Sequence, residues 1–71
     1  ATNENAIKYF KKAIQIKPEH INHHLELGRT YLMMGEKKMA EKEFQEALKL
    51  PVADKDDPDH KREARELLKE L

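Results

Sequence analysis

Histidines are the chain's most versatile chemical groups. Three of the four, His20, His23 and His24, fall within one short stretch. On a helix the i, i+3, i+4 spacing puts their imidazoles on adjacent faces of one turn, where two ring nitrogens can reach a single cation such as Zn²⁺. No cysteine or carboxylate at ligand spacing completes such a set; Glu19 and Glu26 are merely near. No metal site is therefore expected. The acid pair Asp56-Asp57 offers two carboxylates for proton transfer, but it lies on a polar connector with no pocket to separate the two pKa values. Thr2 and Thr30 are the only aliphatic hydroxyls, and the chain has no Ser, no Cys and no Gly-rich phosphate loop. Neither an enzyme nor a cofactor is expected.

Helices must position these residues. Lys17-Pro18, Gly35 and the stretch Pro51 to Pro58 divide the chain into four segments, each with helical periodicity. Ala6, Ile7, Phe10, Ala13, Ile14 and Ile16 form an apolar stripe on the first, with Asn3 or Asn5 as the expected cap and Pro18 as the stop. The second runs from about His20 to Met34, with Gly35 placed for a left-handed C-terminal cap. The third runs from Glu36 to Leu50. Its separation from the second is so short that the two must fold back as an antiparallel hairpin. Asp57 is the expected N-cap of the fourth, with Pro58 at its first position and Ala64, Leu67, Leu68 and Leu71 as its buried face. Met33, Met34 and Met39 surround the turn at Gly35, either as adaptable core filling or as a plastic contact surface.

The first and third segments repeat. Ala6, Phe10 and Ala13 overlie Ala40, Phe44 and Ala47 at an offset of 34 residues, the period of the tetratricopeptide repeat. His24, Leu27-Gly28, Tyr31, Ala40, Phe44 and Ala47 fall on that family's signature spacing, with His24 in the aromatic slot and Pro18 in the terminal proline slot of a preceding repeat. The chain thus resembles the tetratricopeptide family. The resemblance implies an all-α fold of antiparallel hairpins stacked as a right-handed solenoid fragment of four helices. Residues 1–20 would be the second helix of a truncated repeat, residues 21–54 one complete repeat, and residues 57–71 a solvating C-terminal helix, because Leu68 stands in the Gly slot. A chain starting at Ala1 is accordingly expected to be part of a longer protein. Its end, ALKLPVADKDDPDHKREARELLKEL, is similar to that of the regulator of microtubule dynamics family, where a last repeat also ends in Leu-Pro before an acidic linker and one final helix.

Fourteen Lys/Arg balance fourteen Asp/Glu. Zero net charge removes the electrostatic footprint of a nucleic-acid or anionic-membrane binder, and the longest apolar run, Tyr31 to Met34, is far too short to span a bilayer. A cytoplasmic location is the expectation. The repeat resemblance implies a groove lined by the first helices: Asn22, Leu25, Glu26, Arg29 and Met33, then Glu66, Arg62, Arg65 and Lys69. Arg29 with the last three would form a basic wall able to hold an acidic peptide through charge-assisted hydrogen bonds. The carboxylate clamp of one chaperone-binding subset is not present, since its slots hold Leu25, Glu26 and Arg29. The expected function is a non-catalytic scaffold that binds a peptide or partner domain. The alternative is self-association, as a homodimer or by helix exchange, covering apolar surface left open by Ile7, Phe10 and Ile14.

Overall fold

The computed structural model describes residues 2–71. These form four α-helices with no strand among them: α1 Asn3–Ile16, α2 Ile21–Met33, α3 Lys37–Lys49 and α4 Asp57–Lys69. The breaks fall where Pro18, Gly35 and the Pro51–Pro58 connector place them. Two caps differ from expectation. Thr2, rather than Asn3 or Asn5, caps α1: its Oγ1 accepts a hydrogen bond from the Asn5 amide at 3.1 Å, and its own backbone is extended. A threonine one residue earlier satisfies the same orphan donors and leaves both asparagines inside the first turn. Asp57 lies inside α4, with Asp56 at the cap position, and its side chain turns back to the connector.

At the other end of α2, Gly35 adopts φ 78°, the left-handed region that favours glycine. The Glu36 amide donates to the Tyr31 carbonyl at 2.9 Å and the Gly35 amide to the Leu32 carbonyl at 3.0 Å. This is the paired bonding of a Schellman cap, and it reverses the chain within two residues so that α3 runs back along α2.

Helix α2 is the hub and touches all three others; α3 also touches α4, whereas α1 meets only α2. The fully buried core reflects this. Ile21, Leu25, Leu27 and Tyr31 come from α2, Ala40, Phe44 and Ala47 from α3, Ala64 from α4, and none from α1. Ile7, Phe10 and Ile14 lean on this core from α1 and are partly covered. The tightest approach is between α2 and α3. A Cβ on Gly28 would lie 2.5 Å from Cε1 of the buried Phe44 ring and 2.8 Å from its Cδ1. Only a residue without a side chain lets the ring occupy that space, so the small residue and the large one are a single fitted pair. Beside it, His24 Nδ1 meets Glu43 Oε1 across the two helices at 2.9 Å.

Two apolar expectations are corrected. The methionines do not fill the core: Met33 is 75% exposed, and Met34 and Met39 are exposed with it, because Met33 faces solvent from α2 and Met34 lies just past its end. Leu71 is likewise exposed, since α4 ends at Lys69, two residues short of it.

The Gly28–Phe44 fit has a direct test. Gly28→Leu must displace a ring that has no free space around it, and should cost about 3 kcal/mol of unfolding free energy, at the upper end of ordinary overpacking. Urea denaturation followed by circular dichroism measures it. A loss below about 0.5 kcal/mol would mean that the two helices are not in close contact in solution.

Candidate functional site

At 3.6 residues per turn, Asn22, Glu26, Arg29 and Met33 succeed one another along one stripe of α2. That stripe is the most solvent-accessible part of α2; the other three sides carry the contacts to α1, α3 and α4. Four of the five α2 residues expected in a groove therefore share a surface. The fifth does not. Leu25 is 1% exposed and belongs to the core: it sits on the flank of the stripe, about 40° from Arg29 and about 100° from Glu26 around the axis, on the side closed by neighbouring helices.

On α4 the residues expected in the groove have contacts of their own. Arg29 donates to Glu63 of α4 at 2.9 Å and also meets Glu26 at 3.2 Å. This contact fixes which edge of α4 faces the α2 stripe. Asp59, Glu63, Glu66 and Glu70 follow one another at spacings of four and three, so the edge beside α2 is acidic. On the other side, Lys61 Nζ donates to the Leu48 carbonyl of α3 at 3.2 Å. Arg65 and Lys69 continue Lys61's row at i+4 and i+8. Glu63 and Arg65 are two residues apart, hence about 200° apart around the axis. Arg62 is drawn to Asp59 at 2.9 Å. Arg29 and Arg62 are thus each drawn to a carboxylate, Glu63 and Asp59 respectively, and the surface between α2 and α4 carries both signs of charge. The acidic residues at i, i+4, i+7 and i+11 from Asp59 were visible in the sequence. What the sequence lacked was the rotation of α4 about its axis, which tertiary contacts set.

The other candidate chemical groups are engaged in holding the fold. His24 points at Glu43, as above. His20 and His23 stack face to face, with centroids 5.2 Å apart and planes 14° apart. Burial, together with the neighbouring His20, His24 and Lys17, pushes the His23 pKa down, so its ring is neutral at neutral pH. Among the described residues no three His, Asp or Glu side chains converge as a metal-holding group. The Thr30 hydroxyl donates to the Glu26 carbonyl within its own helix at 3.0 Å. The open apolar face expected on α1 is also absent in that form, because Ile7, Phe10 and Ile14 are the residues packed against the core.

Asp57 is a structural residue that the cap assignment undervalued. Its Oδ2 accepts from the Ala53 and Asp54 amides, both at 2.8 Å, and Oδ1 lies 3.6 Å from His60 Nδ1. The amide bond from Ala53 is the main cause of a carboxyl held below the usual carboxylate range; burial opposes it, and Asp54 and His60 add to it. A carboxylate three and four residues beyond a turn, with both amides pointing inward, closes the connector into a loop and aims α4 back across α2 and α3.

The fold is all-helical, its charge is sorted by helix face, and no helix is long and apolar enough to cross a membrane. The chain belongs to the regulator of microtubule dynamics family: the model for regulator of microtubule dynamics protein 1-3 matches residues 1–71. The match extends over the whole chain the likeness seen in residues 47–71. No curated protein and no solved structure matches it.

The Asp57 loop gives a pH dependence whose sign is fixed. The folded-state pKa lies below the unfolded value of about 3.9. Its contribution is therefore complete above that value and is lost as the pH falls through the folded pKa. Asp57→Ala should cost about 2 kcal/mol at pH 7, and the gap from wild type should narrow as the pH falls below about 4. Urea unfolding of both proteins across that range checks it; a gap of constant size would overturn the role assigned to the carboxylate.

Proposed function

We propose that the chain is a non-catalytic protein-interaction module whose helices stack in the manner of tetratricopeptide repeats. Residues 21–54 are one repeat, residues 1–20 supply the second helix of the one before it, and residues 57–71 cover the last. Support comes from the 34-residue offset between the α1 and α3 sequences, from Gly28 beneath the Phe44 ring, and from contact between α2 and α4, the first-helix positions of successive units. Such stacks present preformed surfaces and act by rigid complementarity.

The observation that carries the reading is the α2 stripe bridged to α4 by Arg29 and Glu63. A partner segment lying there meets Met33 as an apolar contact, Asn22 as a hydrogen-bonding group, and the Glu26, Glu63, Glu66 and Glu70 carboxylates. It is accordingly a segment with basic and apolar side chains in alternation. The family suggests that the partner belongs to the microtubule system. Binding rather than chemistry is the role of the surface, because its polar groups are exposed and lie on convex helix faces.

The test uses a fluorescent peptide of alternating Lys and Leu with the 71-residue chain. Glu63→Lys combined with Glu66→Lys should weaken binding by about tenfold, equivalent to about 1.4 kcal/mol, with helicity unchanged by circular dichroism. Among the described residues Glu66 makes no ion pair, whereas Glu63 holds Arg29. Glu66→Lys combined with Glu70→Lys, both exposed, therefore serves as the control that leaves the α4 orientation intact and should weaken binding in the same direction. Undiminished affinity would remove the α2–α4 face from the proposal.

A further inference from the structure

Helix α1 differs from the other three in what it shows to solvent. It contributes no fully buried residue and contacts only α2. Its inner side is Ile7, Phe10 and Ile14. Around the opposite arc stand Lys8, Lys11 and Lys12, at i, i+3 and i+4, with Lys17 just past the helix end. Four lysines against Glu4 give residues 2–17 a side-chain charge of +3, so residues 18–71 carry −3 in a chain whose total is zero.

These lysines are also unmatched. Of the ten cations in residues 18–71, four are engaged: Arg29, Lys49 and Arg62 each meet a carboxylate, and Lys61 meets a carbonyl. Among the described residues no lysine of α1 lies within ion-pair distance of an acid. Like charges three and four apart on a helix repel one another, and Glu4, four residues before Lys8, is the one acid on α1 to offset it. Along one edge of the lysine face run Tyr9 and Ile16, seven residues apart and each 68% exposed. The Tyr9 ring is steadied edge-on against Phe10, with centroids 5.3 Å apart and planes at 78°. Fixed aromatic and aliphatic groups beside a row of free cations make a surface for a ligand that is both anionic and apolar.

We propose that the outer face of α1 docks an acidic segment of a partner protein, its carboxylates on Lys8, Lys11 and Lys12 and one apolar side chain against Tyr9 and Ile16. The site is separate from the α2–α4 face and does not depend on it. Charge complementarity selects the occupant. A nucleic acid fits less well, because its uniform phosphate charge has no use for the apolar edge and would meet the −3 carried by the rest of the chain. Helix α1 is about 21 Å long, enough for some six residues of extended peptide.

The experiment is fluorescence anisotropy of a labelled twelve-residue glutamate-rich peptide with one central Phe, titrated with the 71-residue chain. Binding should weaken with rising salt and fall at least tenfold in the triple variant K8E/K11E/K12E at unchanged helicity. Tyr9→Ser should weaken it several-fold while leaving the charge intact. Equal affinity in the triple variant overturns the proposal. So does tighter binding of an oligothymidylate of the same charge, which would assign the face to nucleic acid. So does a doubling of mass by light scattering without peptide that the triple variant abolishes, which would assign it to a second copy.

Discussion

The fold depends on the space above Gly28. Helices usually stand apart by the thickness of the side chains between them. Removing one side chain at the crossing point of α2 and α3 lets the Phe44 ring settle onto the α2 backbone, where even a methyl group would stand 2.5 Å from it. That contact sets the separation of the hairpin. The separation then allows Ala40 and Ala47, one turn either side of Phe44, to be fully buried despite their size, and it brings His24 within 2.9 Å of Glu43. The Schellman cap at Gly35 has the complementary part. It fixes the direction in which α3 leaves the turn, and without it the ring and the glycine would not arrive at the same height.

The second half of the molecule is aimed by polar groups. Helix α4 contributes a single fully buried apolar residue, Ala64, which is little to orient a helix by packing alone. The Asp57 carboxylate instead draws the Ala53 and Asp54 amides inward, Lys61 reaches the Leu48 carbonyl, and Arg29 reaches Glu63. Three directed contacts on three sides settle the rotation that the small apolar face leaves loose. Because charge-assisted bonds weaken when a partner is neutralised, orientation of α4 is coupled to pH in a way that the apolar Gly28–Phe44 fit is not.

This division explains what was legible in the sequence. The helices, their breaks, the glycine cap and the buried slots at Leu27, Gly28, Tyr31, Ala40, Phe44 and Ala47 all follow from spacing, because apolar periodicity and backbone conformation are local properties. The candidate surface was legible only on α2, where the same periodicity that marks the buried sides also leaves Asn22, Glu26, Arg29 and Met33 as the remainder. On α4 it was not, since carboxylates occupy one flank and cations the other, and nothing in the spacing says which flank meets α2. The caps failed for a smaller reason of the same kind. Thr2, Asn3 and Asn5 are all competent, as are Asp56 and Asp57, and the choice among them is made by where the preceding chain must run.

Zero net charge turns out to be a statement about the sum alone. The chain is sorted into a basic first helix and an acidic remainder, with the acidic row of α4 beside α2 and the free lysines on the far side of α1. Surface fields act over roughly 8–10 Å at physiological ionic strength, less than the 29 Å breadth of the molecule. A partner segment approaching either face therefore responds to the local charge and hardly to the total. A neutral protein of this build presents faces of opposite charge on different helices, without the mutual repulsion that a uniformly charged surface of the same size would place on its own folding.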